Sequence, residues 1–200
     1  MAGGKIAVLA TNEENADWNM ENISCTAAAK GDALVLNGTK YLVPHAAEAD
    51  YVLASIAYEG APALVIIEAA QLDASRLTRE KIIDDTHRSY KLSLDGLELS
   101  KDALMDVGLA GETLAHIELT GSLLLAADMC GGAYACIEYT LDYLKTRKQF
   151  GKLIGSYQSL KHTIVDAHQA YERARSHLYS AAFLFGQQGE GEIAVRMAKA

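Results

Sequence analysis

The chain has 200 residues, half of them hydrophobic, which suits one or two domains, and its net charge of -8 argues against nucleic-acid binding, which needs a basic surface. The three cysteines lack metal-ligand spacing, no unbroken apolar run reaches the roughly 18 residues of a membrane span, and the N-terminus has no secretory pattern. We therefore expect a cytoplasmic protein without a membrane span or a metal site, whose cysteines are reduced core thiols.

Residues 1–105 are predicted to form a small antiparallel β-barrel or sandwich domain. The predicted strands are apolar or alternating runs bounded by turn residues: 5–11, 22–30, 33–36, 39–43, 51–58, 63–68, 90–94 and 97–99. Asn37-Gly38 predicts a hairpin between two of them, because a type I′ turn needs positive φ at both central residues. Asp95-Gly96 predicts a second tight turn in the same meander.

Residues 110–200 are predicted to form a helical domain, with helices at about 112–148, 156–187 and 191–200. Ser156 is the predicted N-cap of the second helix. Strands followed by helices indicate an α+β protein of two domains, in which the sheet and the helices are separate. The first two helices are long and antiparallel. They cannot bury all their apolar surface against each other, so they are predicted to need further helical partners.

The segment that joins the two long helices carries an unusual group of anion and amide donors. Arg147 offers a planar fork that matches phosphate oxygens, Lys148 adds a charge, and amides can read the edge of a purine-like base. Four side chains therefore suit a phosphate-bearing ligand with an aromatic part: Arg147, Gln149, Phe150 and Gln158. A structural alternative is that basic residues favour a helix C-terminus, and that Gly151 is the C′ residue of a helix ending near Phe150.

The run from Arg147 to His162 resembles the signature between two helices of the acyl-CoA dehydrogenases, which are FAD-dependent flavoenzymes. Residues 31–40 resemble a hairpin of that family's middle β-domain, and Ala49-Asp50 with the following apolar run resembles the next strand. The resemblance covers nearly the whole chain. It implies a preceding helical domain and further helices that complete a four-helix bundle. We therefore expect a fragment or a short subunit from a divergent branch of the family, with a partial bundle.

The activity that the resemblance implies is α,β-dehydrogenation of an acyl-CoA thioester, an oxidoreductase reaction on a CH–CH bond. A carboxylate takes the α proton while FAD accepts the β hydrogen as hydride. The resemblance also implies an oligomer, homomeric or heteromeric, such as a dimer of dimers, and an electron acceptor protein. In such an oligomer Arg147 would contact the pyrophosphate of a neighbouring subunit's FAD. Gln149 and Phe150 would lie beside it, and Gln158 would lie near the adenine.

The loops that would hold the flavin ring depart from the family pattern. The first aligns with residues 12–19, where only Glu13 matches. The second has Trp-Ile-Thr-Asn in the family and aligns here with residues 42–45. Pro44 has neither a hydroxyl nor an N–H with which to reach the flavin. His45 either replaces part of this function or is a solvated or turn residue.

The resemblance implies two usual positions for the catalytic base. The first aligns with Gly121, which has no carboxylate, and the arginine that accompanies it aligns with Ser122. The second falls beyond Ala200, outside this sequence. Glu118, about one turn before Gly121, is either a displaced base or a helix-face residue, so no catalytic residue is assigned. We expect a flavoprotein that contributes to a shared FAD site. The alternative is a non-catalytic assembly subunit of the same fold.

Overall fold

The computed structural model of the chain describes residues 3–15, 19–20, 22–187 and 189–200. The chain divides into two compact units, Met1–Ala115 and His116–Ala200. The first contains the two larger sheets, and the second contains most of the helical sequence and one small hairpin. The predicted α+β class, a β domain followed by long helices, is confirmed.

Nine strands lie in the described part of the first unit. In chain order they are β1 (Ala7–Ala10), β2 (Thr26–Lys30), β3 (Ala33–Asn37), β4 (Thr39–Pro44), β5 (Tyr51–Tyr58), β6 (Ala61–Glu68), β7 (Leu77–Glu80), β8 (Ser89–Ser93) and β9 (Leu97–Ser100). Strands β1, β5, β2, β3 and β9 lie side by side in that order, and β6 also pairs with β5. Strands β4, β8 and β7 form a second sheet. Most pairs are antiparallel, as predicted, but β5 is parallel to both β1 and β2.

Both sheets contribute to one hydrophobic core. Leu34 and Leu36 of β3 and Val52 and Ile56 of β5 are completely buried, and so is Leu92 of β8 in the second sheet. Removing such side chains from water is the main favourable contribution to folding. The alternation that predicted these strands therefore corresponds to an inward face and an outward face.

Asn37-Gly38 does not form the predicted hairpin. The tight turn predicted at Asp95-Gly96 is present and is closed by the bond from the Leu97 N–H to the Leu94 carbonyl (2.9 Å), although the strands on its two sides do not pair with each other. Strand β3 pairs with β2 and β9, whereas β4 pairs with β8, so the chain crosses between the sheets at Asn37-Gly38 and crosses back at Asp95-Gly96. The Gly38 N–H donates to Asp95 Oδ1 (2.7 Å), and the Gly96 N–H donates to Asn37 Oδ1 (3.2 Å). Gly38 has a φ of 119°, and a β-carbon there would lie 2.6 Å from Cys25 Sγ, so the crossing requires glycine.

The hairpins of the larger sheet are found elsewhere. Strands β2 and β3 pair from Lys30 and Ala33 outward, across the two residues between them. Strands β5 and β6 pair across Glu59-Gly60, whose φ values of 51° and 81° are both positive, as a type I′ turn requires.

The described residues after the first unit's strands form three α-helices and one small hairpin, besides short 3-10 turns: α1 (Ala110–Thr146), β10 (Lys148–Gln149), β11 (Lys152–Leu153), α2 (Gln158–Leu184) and α3 (Glu190–Lys199). Helices α1 and α2 run antiparallel, because the rings of Tyr134 and Tyr171 lie 5.5 Å apart and those of His116 and Phe185 lie 5.6 Å apart.

Ser156 is not the N-cap of α2, contrary to the prediction. Its hydroxyl donates to the Leu153 carbonyl (2.7 Å), and the cap position belongs to Tyr157, which makes no side-chain capping bond. A short 3-10 turn over Ile154–Ser156 precedes the helix and shifts its start beyond the serine.

Helix α1 has a largely uncovered apolar surface. Leu124 is 65% exposed, Tyr139 is 77% exposed, and a β-carbon on Gly131 or Gly132 would meet no atom within 4 Å in the described part of the chain. By length and composition alone this helix could cross a membrane, although core helices of soluble proteins pass the same test, so this is weak evidence. The further helical partners predicted for the two long helices do not cover this surface among the described residues.

Candidate functional site

A β-hairpin with a two-residue turn joins α1 to α2. We call its residues 147–153 the connecting hairpin. Strand β10 pairs antiparallel with β11, and the turn between them is Phe150-Gly151, with φ values of 54° and 79°. Positive φ at both positions is the type I′ pattern. Helix α1 ends at Thr146, before the hairpin, so the interpretation of Gly151 as the C′ residue of a helix ending near Phe150 is wrong.

The base of the connecting hairpin is fixed to the end of α1. The Ile154 N–H donates to the Arg147 carbonyl (2.9 Å) and closes the hairpin. Gly155 packs on the last turns of α1 so closely that a β-carbon would lie 2.8 Å from the Leu144 carbonyl oxygen. The hairpin therefore leaves the helix in one defined direction.

Tyr157 supports one side of the connecting hairpin. Its hydroxyl donates to the Gln149 carbonyl (3.3 Å), and Lys152 Nζ lies 4.3 Å from the centre of its ring. The interaction of a cation with an aromatic face contributes about 0.5–1 kcal/mol of stabilisation at an exposed site. The contact helps to hold both strands of the hairpin.

The four predicted ligand-binding residues are all exposed. Arg147, Gln149 and Phe150 lie on the connecting hairpin, and Gln158 is the first residue of α2. The Phe150 side chain is 91% exposed although its backbone adopts a positive φ that bulky residues rarely take. The Arg147 side chain has no ion pair or hydrogen bond within the described part of the chain.

The charge around the connecting hairpin is positive although the chain is acidic overall. Residues 143–165 contain no aspartate or glutamate. Their basic residues are Lys145, Arg147, Lys148, Lys152 and Lys161. An anionic ligand would therefore meet no carboxylate from this stretch of sequence.

The second predicted loop lies at the end of β4 in the first unit. Leu42 and His45 both have positive φ, at 52° and 50°. The Leu42 N–H donates to Glu80 Oε2 (2.8 Å), and the His45 N–H donates to the Arg88 carbonyl (2.8 Å). These two N–H groups are thus occupied, and Pro44 between them has none. Of the first predicted loop, residues 16–18 lie outside the described residues.

A buried ion pair beneath these loops was not predicted. Lys40 Nζ lies 2.7 Å from Glu13 Oε1, and both side chains are buried. Burial alone would raise the pKa of Glu13, but hydrogen bonds from Lys40, from the Ser24 hydroxyl and from the Cys25 N–H lower it to about 2. Glu13 was identified only as the one residue that matches its loop. No local pattern identifies Lys40, because lysines are seldom buried.

Comparison with known proteins identifies the family. The profile described as acyl-CoA dehydrogenase, C-terminal domain, matches residues 119–200. Acyl-CoA dehydrogenase IpdE2 of Mycobacterium tuberculosis is 31% identical over 78% of this chain and 47% of its own length. Glutaryl-CoA dehydrogenase of Desulfococcus multivorans is 30% identical over 85% of this chain and 46% of its own length. This chain belongs to the acyl-CoA dehydrogenase family.

Solved structures of this family share the fold over almost the whole chain. Butyryl-CoA dehydrogenase from Megasphaera elsdenii has a TM-score of 0.82 at 23% identity and covers 97% of this chain and 53% of its own. A FAD complex of PigA has a TM-score of 0.83 at 24% identity, with 97% and 52% covered. This acyl-CoA dehydrogenase-like chain therefore spans about half the length of the relatives it matches.

Gly121 is the position that the resemblance assigns to the catalytic base. Gly121 has no side chain, and a β-carbon there would meet nothing within 4 Å in the described part of the chain. Glu118 is neither free nor fully exposed, because Arg196 of α3 lies 3.3 Å from its carboxylate. This ion pair links α3 to α1.

The cysteines and possible metal ligands form no further centre. Cys25 is buried, and burial raises the pKa of its thiol to about 11. Cys136 is exposed, so the prediction that all three are core thiols is wrong for it. No group of three or more His, Cys, Asp or Glu side chains suited to a metal ion lies among the residues that the structure describes.

Proposed function

We propose that this chain is an acyl-CoA dehydrogenase-like flavoprotein, a fragment or a subunit that contributes its connecting hairpin to a FAD site shared with a neighbouring subunit. The observation that carries the proposal is an exposed, cationic type I′ hairpin with an aromatic residue at its tip. Such a surface suits a ligand with a pyrophosphate and aromatic rings. A solved FAD-dependent dehydrogenase of the same fold supports this choice of cofactor.

Arg147 is the residue proposed to bind the pyrophosphate. Its guanidinium is exposed, has no ion pair within the described part of the chain, and faces no acidic competitor in residues 143–165. A planar guanidinium can donate two parallel hydrogen bonds to phosphate oxygens, and each charge-assisted bond contributes about 1.5–3 kcal/mol. Lys148 adds a second positive charge at the start of β10.

The remaining hairpin residues are proposed to contact the rest of the dinucleotide. Phe150 would cover an apolar part of FAD or of its subunit, since a large aromatic side chain left 91% exposed in this chain suits a contact with another molecule. Gln149 lies next to it in β10, and Gln158 begins α2. Their amides can both donate and accept, which suits the pyrophosphate and adenine ends of the cofactor.

The residues of the first unit fit the flavin ring less well. The N–H groups of Leu42 and His45 are already bonded, and Pro44 lacks both a hydroxyl and an N–H. This segment therefore offers few donors to the polar edge of a flavin. We propose that those donors come from another subunit, so that the two chains complete one site together.

The proposed reaction is α,β-dehydrogenation of an acyl-CoA. FAD, when bound, supplies the acceptor for the hydride. The residues of this chain would hold and orient the cofactor: Arg147 anchors the pyrophosphate, and Phe150 shields its surroundings from water. With Gly121 at one base position and Glu118 held by Arg196, we assign no base to the described residues.

The wider organisation is proposed from the same features. Domains of 1–105 and 110–200 would pack into a homo- or hetero-oligomer, such as a dimer of dimers, because α1 leaves much apolar surface uncovered. We propose acyl-CoA as substrate, an electron acceptor protein as partner and the cytoplasm as location. The net charge of -8 argues against a nucleic-acid partner.

A non-catalytic assembly subunit of the same fold is the second candidate. Gly121, Ser122 and Pro44 favour it, because none of them supplies the group that the family uses at that position. Such a subunit would fold and form oligomers through the exposed faces of α1 and α2 without holding FAD.

The absorption spectrum between roughly 350 and 500 nm distinguishes these candidates. The purified chain would be mixed with FAD and desalted, alone and after co-expression with a second acyl-CoA dehydrogenase subunit. Flavin retained only in the co-expressed sample is the result that a shared site predicts. A folded oligomer without flavin in both samples would contradict the proposal and favour the assembly subunit.

A further inference from the structure

A buried ion pair crosses the core of the first unit. The Lys40 and Glu13 side chains are 0% and 4% exposed, and their charged atoms lie 2.7 Å apart. Two charges removed from water lose more solvation free energy than their attraction supplies, unless further hydrogen bonds complete the site. A pair of hydrophobic residues of similar volume would often be as stable. Stability alone therefore does not explain why this pair is present.

The pair joins four parts of the fold. Lys40 Nζ, in β4 of the smaller sheet, also donates to Ser55 Oγ (3.0 Å) in β5 of the larger sheet. The Glu13 carboxylate accepts from the N–H groups of Ser24 (2.7 Å) and Cys25 (3.1 Å) and from the Ser24 hydroxyl. Each buried side-chain nitrogen or oxygen atom of this network has at least one hydrogen-bond partner within the described residues. The loop that contains Glu13 is thus tied to both sheets and to the segment before β2.

The chain on either side of the pair is linked as well. The Tyr41 N–H donates to the Asn12 carbonyl (2.9 Å), so the residue after Lys40 is bonded to the residue before Glu13. Segment 41–45 then passes through a bulge, where the pairing of β4 with β8 shifts between Lys40 and Val43. A bulge changes the direction of the backbone that follows it. Here that backbone forms one side of the site proposed for the flavin ring.

We infer that Glu13 and Lys40 are positioning residues that hold segments 12–15 and 41–45 side by side, so that both can face one ligand. The identity of that ligand as FAD rests on the proposed function. Both side chains are too deeply buried to touch it, so they act through the backbone of the two segments. Since Pro44 and the bonded N–H groups offer the ring few donors, the position of this backbone is the main contribution that segment 41–45 can make.

Hydrogen exchange of the full chain tests this role without flavin. Lys40→Met leaves a buried carboxylate unpaired, whereas Glu13→Gln with Lys40→Met removes both charges. Lys5→Met is the matched control, because it breaks an ion pair of the same 2.7 Å length that is exposed. We expect peptides covering 41–45 to exchange at least tenfold faster in both Lys40 variants, relative to peptides from β5, and to be unchanged in Lys5→Met.

The double variant separates positioning from stability. Because it has no unpaired buried charge, its thermal midpoint should recover toward that of the unaltered chain while segment 41–45 still exchanges fast. Slow exchange of 41–45 in the double variant would overturn the inference. So would a rise in exchange that is equal in 41–45 and in β5, since that outcome means only general destabilisation.

A FAD titration with the co-expressed second subunit tests the link to the ligand. We expect the double variant to bind FAD at least tenfold more weakly than the unaltered chain, and Lys5→Met to bind it equally well. Equal FAD affinity in the double variant would overturn the link. If the unaltered chain binds no FAD, either alone or with the second subunit, the proposed function fails. The hydrogen-exchange result still decides whether the ion pair positions the two segments.

Discussion

Gly155 packs directly on the backbone of Leu144, so that a β-carbon would lie 2.8 Å from the carbonyl oxygen. This contact brings the chain back onto the end of α1 immediately after the connecting hairpin. Together with the bond from Ile154 N–H to the Arg147 carbonyl, it sets the direction in which the hairpin leaves the helix. The side chains proposed to bind FAD therefore depend on a glycine that would not contact the cofactor.

Gly155→Ala tests that dependence. The added methyl group must push the backbone away from Leu144, and overpacking of this kind costs about 1–3 kcal/mol. We expect a lower free energy of unfolding in urea. Gly132→Ala in α1 is the control, because a β-carbon there meets nothing within 4 Å in the described chain and alanine favours a helix by about 1 kcal/mol over glycine. Equal effects of the two changes would refute the close packing.

The sheet crossing at Gly38 makes a second prediction. Gly38→Ala must place a methyl group 2.6 Å from Cys25 Sγ at a φ of 119°, so we expect a loss of about 3 kcal/mol from strain and overpacking together. Gly31→Ala, at a φ of 61° with open space around it, should cost only the conformational part, about 1–2 kcal/mol. Thermal unfolding of both variants measures how much stability each one loses. Equal losses in the two variants would mean that the crossing is not tightly packed.

Stability should fall in acid because of Glu13. Its pKa is about 2 in the folded chain against an ordinary value of 4.5, so the unfolded chain binds more protons between these values. The stabilisation is therefore complete above pH 4.5 and is lost as the pH falls toward 2. Urea titrations across this range should show a shallower decline when Glu13→Gln is combined with Lys40→Met.

Other acidic groups do not obscure that comparison. Hydrogen bonds also lower the pKa of Asp50, Asp73 and Asp84, but these residues are unchanged in the double variant, so their contributions cancel in the difference. Parallel curves for the two proteins would contradict the role of Glu13.

The cysteines should differ in reactivity. Cys25 is buried and burial raises the pKa of its thiol to about 11, so little thiolate is present at pH 8 and reagents cannot reach it. Cys136 is exposed. Timed alkylation with iodoacetamide, followed by peptide mass spectrometry, should label Cys136 well before Cys25. Simultaneous labelling in the folded protein would mean that the core around Cys25 opens readily.

Local patterns predicted most strands of the first unit, but they missed β7 and did not show which strands pair. Apolar runs bounded by turn residues located β5 and β6, and their type I′ turn is a local property of Glu59-Gly60. Asn37-Gly38 has an equally strong local preference for positive φ. It forms a crossing between sheets because β3 pairs with its neighbour β2 and with the distant β9, whereas β4 pairs with the distant β8. Pairing is decided by packing of the whole domain, which no short window contains.

The sequence motif identified candidate residues on the hairpin, but it did not identify the buried ion pair of the first unit. Arg147 and Phe150 belong to a long motif, and both are exposed, Arg147 at the base of the hairpin and Phe150 in its turn. Helix α1 stops two residues before its predicted end because Lys148 pairs in β10. Lys40 was missed because its burial depends on Glu13, 27 positions away, and on Ser55 of another sheet.

The most direct test of the shared FAD site is the affinity of Arg147→Ala for FAD, measured by flavin fluorescence with the second subunit present. The control is Arg173→Ala, which removes a different exposed arginine that lies on α2 and not on the hairpin. Loss of a charge-assisted contact to pyrophosphate predicts binding weaker by roughly tenfold to a hundredfold. Riboflavin, which has no phosphate, should bind both variants alike. FAD affinity that is the same in Arg147→Ala and Arg173→Ala would contradict the account.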